Sequence, residues 1–339
     1  MRKNPYWFVS PSQLFVVILR LQKKTQVMDW NLFLMIGGVI VGTTLLLWGA
    51  DRFTDGACGI ARKWHVSELI IGLTIVSMGT SLPEFVVSLF SSLRGSTDMS
   101  VGNILGSNAF NTLVIVGASC LMMKVVSDRG ILFRDIPFCL LVSLVLAFLG
   151  MQGVISRWGA LLLCFLFTIF MAYNLYLAKS NKAEFTADAE VMSMGRILFL
   201  IIIGIGTLVG GGQLLVNSAT SLARSFGVSE SVIGLTILAG GTSLPELATS
   251  VMAARKGSQG VALGNVIGSN VFNIAFVLGI CSLVRPMKIT DITLVDWSVM
   301  LGSVLLLWVF AYTGRRITKL EGSFLLLCYA AYLSFLLLH

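Results

Sequence analysis

The sequence predicts an all-α membrane protein with ten transmembrane helices, arranged as two inverted five-helix repeats. Two observations carry this prediction. Hydrophobic residues make up 56% of the 339 positions and charged residues only 12%, whereas soluble domains contain roughly 25% charged residues. In addition, residues 72–117 recur without a gap at residues 234–279, at a constant offset of 162, with 21 of the 46 aligned positions identical.

Apolar stretches of roughly 18 or more residues recur along the whole chain, and this length is typical of membrane-spanning helices. Glycine, serine, threonine, proline and glutamate interrupt the second and seventh stretches, which are still predicted to span. The ten predicted spans lie near residues 32–50, 67–93, 100–123, 131–149, 158–178, 196–217, 229–254, 260–284, 294–312 and 322–338.

The two copies define the domain organisation. Each copy carries five predicted helices, and because five is odd, the second copy must lie upside down in the membrane relative to the first. The first inverted repeat covers residues 28–180 with its motif at 72–117, and the second covers residues 196–339 with its motif at 234–279. Residues 181–195 are predicted to be a cytoplasmic linker between them.

Lysine and arginine counts predict the orientation. Between residues 28 and 339, one side of the predicted topology holds 14 of these residues and the other side holds 5. Because the basic side faces the cytoplasm, both termini of the 28–339 core are predicted to be extracytoplasmic.

Residues 1–27 do not fit this orientation. They add five basic residues to the outer side, and their apolar run is too short to span and lacks a small-residue cleavage site. The hypothesis is that they are a non-native N-terminal extension and that Met28 is the true start. The alternative is an interfacial segment that belongs to the protein.

Composition also narrows the function classes. The longest predicted connection, residues 179–195, is too short to fold alone, and no G-x-x-x-x-G-K-[ST] phosphate loop is present, so neither an enzyme nor an ATP-driven pump is expected. The net charge of +8 is attributed to basic residues in the loops, which set the membrane orientation. It is therefore not taken as a sign of a nucleic-acid partner. The sequence indicates no cofactor and no obligatory protein partner. Its six cysteines lie singly in apolar sequence and are expected to act as small hydrophobic residues.

The repeated motif carries a polar face through apolar sequence. Helical spacing places oxygen-bearing side chains on one face of the second and third spans, and again on the seventh and eighth. Hard cations such as Na⁺ and Ca²⁺ prefer oxygen ligands, so this face is a candidate cation site. The residues are Ser77, Thr80, Ser81, Glu84, Ser88, Asn103, Ser107 and Asn111 in the first copy, and Thr242, Ser243, Glu246, Ser250, Asn265, Ser269 and Asn273 in the second.

Glu84 and Glu246 carry the electrostatic argument. A carboxylate at membrane depth costs at least about 3 kcal/mol, and two facing carboxylates repel each other. One divalent ion, or several monovalent ions, relieves both penalties, and protons compete with the metal at low pH. Pro83 and Pro245 precede the glutamates directly and are expected to break the helices, freeing backbone carbonyls as further ligands. Pairing with buried arginines is the alternative, but no arginine or lysine lies near either glutamate within the motif helices.

GTSLPE followed by GN-x-x-GSN-x-x-N, present twice, resembles the α-repeats of the cation/Ca²⁺ exchanger superfamily. The 28–339 core resembles prokaryotic Na⁺/Ca²⁺ antiporters of the YrbG type. The resemblance implies a secondary active antiporter of the cell (inner) membrane that works by alternating access, with Na⁺ influx driving Ca²⁺ export. Its implied partners are Na⁺, Ca²⁺ and the lipid bilayer. The implied cation ligands are Ser77 and Ala239 through their carbonyls, together with Thr80, Ser81, Glu84, Ser107, Asn111, Thr242, Ser243, Glu246, Ser269 and Asn273.

Asn273 departs from the family pattern, because several members, including K⁺-dependent ones, carry aspartate at the matching position. An amide there removes one charge, so no K⁺ requirement is predicted.

The alternative function is a H⁺/Ca²⁺ antiporter, or one for another divalent cation, whose carboxylate pair alternates between protons and metal. An intramembrane hydrolase would need a further acid or base beside Glu84 and Glu246. A passive channel suits broken inverted helices less well than alternating access does.

Overall fold

The structure of the chain is a computed structural model, and the residues that it describes are 11–122, 125–126, 129–180, 192–227 and 239–338. Helices dominate these residues, and they are numbered here in chain order. They are α1 (Pro11–Trp64), α2 (Glu68–Thr80), α3 (Leu82–Arg94), α4 (Thr97–Met122), α5 (Ile131–Met151), α6 (Arg157–Ser180), α7 (Met194–Ser225), α8 (Ala239–Gly241), α9 (Leu244–Arg255), α10 (Gln259–Val284), α11 (Leu294–Tyr312) and α12 (Lys319–Leu338).

The helices confirm that the chain is built to cross a membrane several times. Among the described residues, eight helices are long and apolar enough to span, and the bent pair α2–α3 raises the number to nine. The predicted span near 229–254 is described only from residue 239 onward, where it consists of α8 and α9.

The predicted end of the first span near residue 50 is wrong. Helix α1 continues to Trp64, and its apolar portion runs from Asn31 to Trp64. Arg52 therefore lies inside the helix and not in a loop. The chain leaves the helix only at His65, whose φ of 53° lies in the left-handed region. Helix α1 also passes residue 28 without a break, and the proposed start at Met28 stays a prediction.

The predicted break in the second span is present. Helices α2 and α3 meet at an angle of 48°, and Ser81 lies between them. Pro83 is the second residue of α3, where its missing N–H has no intrahelical partner to lose. The proline therefore begins a new helix and does not kink an existing one. Ser243 and Pro245 repeat this arrangement at the start of α9.

Within the described ranges, four two-residue strands lie between the ends of helices. They are β1 (Val125–Val126), β2 (Val154–Ile155), β3 (Met287–Lys288) and β4 (Arg316–Ile317). Strand β1 pairs with β4 and β2 pairs with β3, both antiparallel. Each strand of the first repeat thus pairs with a strand of the second.

Glycines allow the two longest helices to approach each other closely. A Cβ atom on Gly42 of α1 would lie 2.6 Å from the backbone nitrogen of Leu215 in α7, and one on Gly204 of α7 would lie 2.8 Å from the Cα atom of Phe53. Small residues permit such backbone contact between membrane helices. Helices α1 and α7, which are repeat equivalents, therefore form a tightly packed pair.

In the described part of the chain, the apolar core consists of two buried clusters. The larger contains Ile104, Leu146 and Ile274, and the smaller contains Phe53 of α1 and Ala248 of α9. Helix α2 contributes to both, through Leu73 and Ile71 respectively. The broken helix is thus held between the two clusters, which fixes the position of its polar end.

A capping box formed by Thr293 and Asp296 begins α11. All six cysteines are free thiols.

Candidate cation site

The predicted polar residues converge at the two helix breaks. The side chains of Glu84 and Glu246 are completely buried, with 0% of their surface exposed. The other predicted ligand side chains that are buried are Ser77, Thr80, Ser81, Ser107, Asn111, Ser243, Ser269 and Asn273. Thr242 lines a cavity beside them, and Ala239 is the first residue of α8.

Each glutamate is held by a serine of the other repeat. The Ser81 hydroxyl donates to Glu246 Oε1 over 2.7 Å, and the Ser243 hydroxyl donates to Glu84 Oε1 over 3.0 Å. The offset of 162 relates the two contacts to each other. Ser107 also lies 3.4 Å from Glu84 Oε1 as a donor. Among the described residues, the carboxylates are therefore fixed by neutral hydroxyl donors and not by the arginines of the alternative interpretation.

Asparagines Asn103 and Asn265 attach the half-helices α3 and α9 to their neighbours. Asn103 Nδ2 donates to Ser88 Oγ over 3.1 Å, and Asn265 Nδ2 donates to Ser250 Oγ over 2.9 Å. Asn265 Oδ1 also accepts from the Thr80 hydroxyl at 3.1 Å. The same two Nδ2 atoms also donate to the backbone carbonyls of Glu84 and Glu246, at 3.5 and 3.3 Å, and so position the half-helices at the glutamates.

Four buried carboxylate and amide oxygens at the site have no hydrogen-bond donor among the described residues, and the Thr242 hydroxyl has no partner there either. An uncompensated buried acceptor is expensive, and a bound cation is the natural partner for a group of oxygens. The four form two repeat-related pairs: Oε2 of Glu84 and of Glu246, and Oδ1 of Asn111 and of Asn273.

The charge of the site is limited to these two carboxylates. Within the described part of the chain, no three His, Cys, Asp or Glu side chains come close enough to hold a metal ion. The remaining ligands are neutral oxygens, so the donor set suits hard cations. The end of α2 at Thr80 adds the negative end of a helix dipole, which also favours a cation.

The equivalent serines Ser107 and Ser269 differ in their contacts. Ser107 donates to Glu84, whereas Ser269 donates to the backbone carbonyl of Ser77. Ser77 uses its hydroxyl within its own helix, donating to the carbonyls of Leu73 and Thr74 at 3.0 and 3.1 Å. Its carbonyl, the predicted ligand atom, accepts from the Ser269 hydroxyl at 3.4 Å and from the backbone N–H of Ser81 at 3.1 Å. The two repeats therefore agree at the glutamates and the asparagines and differ at Ser107 and Ser269.

Sequence reasoning missed Asn108, Asn270 and Thr112. The two asparagines are repeat equivalents and are 2% exposed, and Thr112 is completely buried. Asn270 and Asn108 accept directly from Asn111 and Asn273 respectively, and Thr112 accepts from Asn270. The signal was available, because both asparagines belong to the repeated GSN triplet, but they lie outside the i, i+4, i+8 face from which the predicted ligands were chosen.

A cavity of about 770 Å³ opens beside the site between α3, α4 and α7. Its lining residues Val86 and Met99 are 48% and 62% exposed. Their repeat equivalents are Ala248 and Val261, which are only 5% and 0% exposed because α1 packs there. The structure is thus open on one side of the site and closed at the repeat-related position.

Ion pairs join the helices at the closed position. Lys256, at the end of α9, places its Nζ 2.6 Å from both Asp51 Oδ1 and Asp55 Oδ1 of α1. The repeat equivalent of Lys256 is Arg94, and the equivalents of the two aspartates are neutral amides. The closed side therefore has a charged contact that the open side cannot reproduce.

A multi-span helical fold with a buried, internally repeated set of oxygen-bearing side chains is typical of a membrane transporter of cations. The chain belongs to the sodium/calcium exchanger protein family, whose model matches residues 34–176 and 196–338.

Two curated relatives and one solved structure agree with this assignment. The chain is 39% identical over 307 residues to the putative antiporter CaxA of Alkalimonas amylolytica, covering 87% of this chain and 96% of CaxA. It is 38% identical over 278 residues to the inner membrane protein YrbG of Escherichia coli strain K12, covering 78% and 84%. A structure of the sodium-calcium exchanger NCX_Mj, soaked with Na⁺ and Ca²⁺, matches with a TM-score of 0.78 at 32% identity and covers 89% of this chain and 98% of that chain. The protein is therefore an integral multi-pass membrane transporter and not an enzyme.

Proposed function

We propose that this protein exports Ca²⁺ in exchange for Na⁺ influx. The observation that carries the proposal is the pair of buried glutamates, each with one oxygen held by a serine of the other repeat and one oxygen left without a donor. One Ca²⁺ would neutralise both carboxylates and occupy the free oxygens. Several Na⁺ ions would do the same when Ca²⁺ leaves, so the two ions compete for one site and are exchanged.

The proposed ligand set is the one that the resemblance to the exchanger family implies. The carboxylates supply the charge, and the hydroxyl, amide and carbonyl oxygens complete the coordination of ions that prefer oxygen. The set comprises Ser77, Thr80, Ser81, Glu84, Ser107, Asn111, Ala239, Thr242, Ser243, Glu246, Ser269 and Asn273.

Ten spans in two inverted repeats form the proposed architecture. Strands β1 and β3 are repeat equivalents, and so are β2 and β4. Helix α5 lies between β1 and β2 and would cross the membrane, so β1 and β2 would lie on opposite sides of it. Strand β4 pairs with β1 and strand β3 pairs with β2. Strand β3 would therefore lie on the side opposite to its repeat equivalent β1. This supports inverted repeats, and the α8–α9 segment, as the equivalent of α2–α3, supports the tenth span.

Alternating access is supported by the difference between the repeats. The cavity between α3 and α7 is open while the repeat-related position beside α1 and α9 is closed. In an inverted pair, exchanging the two local conformations would close the first side and open the second. The loop charges would place the closed side toward the cytoplasm, and the similarity to YrbG, named an inner membrane protein, supports an inner-membrane location.

Ca²⁺ uptake into proteoliposomes tests the proposal. Radioactive Ca²⁺ is added outside vesicles loaded with Na⁺, or outside vesicles with an outward H⁺ gradient and no Na⁺. Uptake with the Na⁺ gradient alone is expected. Uptake that needs only the H⁺ gradient would replace the proposal with H⁺/Ca²⁺ exchange, and no Ca²⁺ uptake under either condition would show that Ca²⁺ is not the substrate.

A further inference from the structure

Hydrogen bonds determine which end of the side-chain amide faces the site in Asn111 and in Asn273. Asn111 Nδ2 donates to Asn270 Oδ1 over 3.2 Å, and Asn273 Nδ2 donates to Asn108 Oδ1 over 3.1 Å. The opposite end of each amide is one of the buried oxygens that have no donor among the described residues. An amide has one donor end and one acceptor end, so its orientation decides whether it attracts or repels a cation.

In the second repeat, a backbone carbonyl fixes this orientation. Asn108 Nδ2 donates to the carbonyl of Asn270 over 3.2 Å. A carbonyl only accepts, so Asn108 must turn its amide nitrogen toward it and its Oδ1 toward Asn273. Asn273 must then present its nitrogen to Asn108, which leaves its oxygen facing the site.

In the first repeat, the hydroxyl of Thr112 has the same role. It donates its single proton to the carbonyl of Asn108 over 2.9 Å, so it can only accept from Asn270 Nδ2, which lies 2.8 Å away. Asn270 must therefore turn its Oδ1 toward Asn111, whose own oxygen is left facing the site. The repeat equivalent of Thr112 is Ile274, so the two repeats reach the same orientation through different anchors.

We propose that Asn108, Asn270 and Thr112 are positioning residues that hold the amide oxygens of Asn111 and Asn273 toward the transported cations. The inference rests on the proposed function, because it assigns these residues to the same cation site. All three are buried, and none is among the proposed ligands. Because the dipoles are oriented before the ion arrives, no rearrangement of the amides is needed on binding. Residues of this kind typically change metal affinity about 10- to 100-fold when they are replaced.

Thr112→Val tests the first-repeat anchor, because valine has nearly the same shape and no hydroxyl. Without that acceptor, the amides of Asn270 and Asn111 can turn over and present nitrogen to the cation. We expect the apparent Kd for Ca²⁺ to rise about 10- to 100-fold. Thr112→Ser keeps the hydroxyl and is expected to stay close to the wild type. Ile274→Val changes a buried aliphatic side chain at the equivalent position and is the matched control.

Binding is measured on the purified full chain as the shift of its melting temperature with Ca²⁺ concentration, and again with Na⁺. Thr112→Ala, which cannot overpack, replaces Thr112→Val if the latter does not fold. A loss of affinity in both variants without the hydroxyl, with recovery in Thr112→Ser, supports the inference. Equal Ca²⁺ affinity in the wild type and the hydroxyl-free variants would overturn it and leave the proposed function intact. A wild-type protein whose melting responds to neither ion would overturn the proposed function and this inference together.

Discussion

Replacing Glu246 by glutamine is expected to abolish exchange without unfolding the protein. The Ser81 hydroxyl, 2.7 Å from Glu246 Oε1, can donate equally well to a glutamine oxygen, so the contact between the repeats survives. The charge does not survive, and the residue is completely buried. At a separation of about 4 Å and an effective dielectric constant of about 20, each pair of unit charges contributes about 4 kcal/mol, and the double charge of Ca²⁺ makes this a lower bound for the loss. This corresponds to Ca²⁺ binding that is weaker by at least roughly a thousandfold.

The same substitution has an opposite effect on the ion-free protein. Two buried carboxylates without a cation are unfavourable, and Glu246→Gln removes one of them. We therefore expect the variant to melt at a higher temperature than the wild type in the presence of a chelator. Saturating Ca²⁺ should stabilise the wild type, by about 2.7 kcal/mol at 100 times Kd, and should leave the variant unchanged.

Thermal unfolding of purified protein with chelator and with Ca²⁺ measures both effects, and Ca²⁺ uptake is measured in parallel. Glu84→Gln should behave in the same way, because the two glutamates are repeat equivalents. Asp291→Asn removes a carboxylate at an exposed position and is the control. A Glu246→Gln protein that melts lower in chelator, or that still gains stability from Ca²⁺, would refute the electrostatic argument.

Three further predictions concern neighbouring contacts. Ser243→Ala should lower the free energy of unfolding of the ion-free protein by about 2 kcal/mol, because it removes a buried donor to a carboxylate. Ser282→Ala, whose buried hydroxyl has no partner among the described residues, should cost clearly less in the same melting experiment, and equal losses would contradict the assigned contact. Lys256→Met should change the ratio of the apparent Ca²⁺ affinities measured from the two sides of the vesicle about 2- to 10-fold, because it removes two partly exposed ion pairs. Arg94→Met, at the equivalent position, should change this ratio less, and an equal change would argue against a role for the ion pairs. Added K⁺ should leave Ca²⁺ uptake unchanged, since Asn273 carries no charge, and strong stimulation by K⁺ would contradict this.

Much of the fold followed from local chemistry. Long apolar runs predicted the helices, and Pro83 and Pro245 predicted the two breaks, because proline is excluded from a helix interior and accepted in the first turn of a new helix. The end of α1 was placed too early because Asp51, Arg52 and the residues after them look like a loop in sequence. In the structure they continue the helix, and small residues such as Ala57 and Ala61, both 0% exposed, pack this continuation against its neighbours.

The sequence by itself determined most of the candidate site residues, because polar residues that recur at a fixed offset in apolar sequence indicate a repeated functional element. The tertiary structure alone decided how they are paired. Ser81 binds the glutamate of the other repeat, and Asn111 binds Asn270 across the same interface. It also decided that one side is open and the other closed. These features arise from contacts between segments about 160 residues apart, and helical periodicity, which is a local property, contains no information about them.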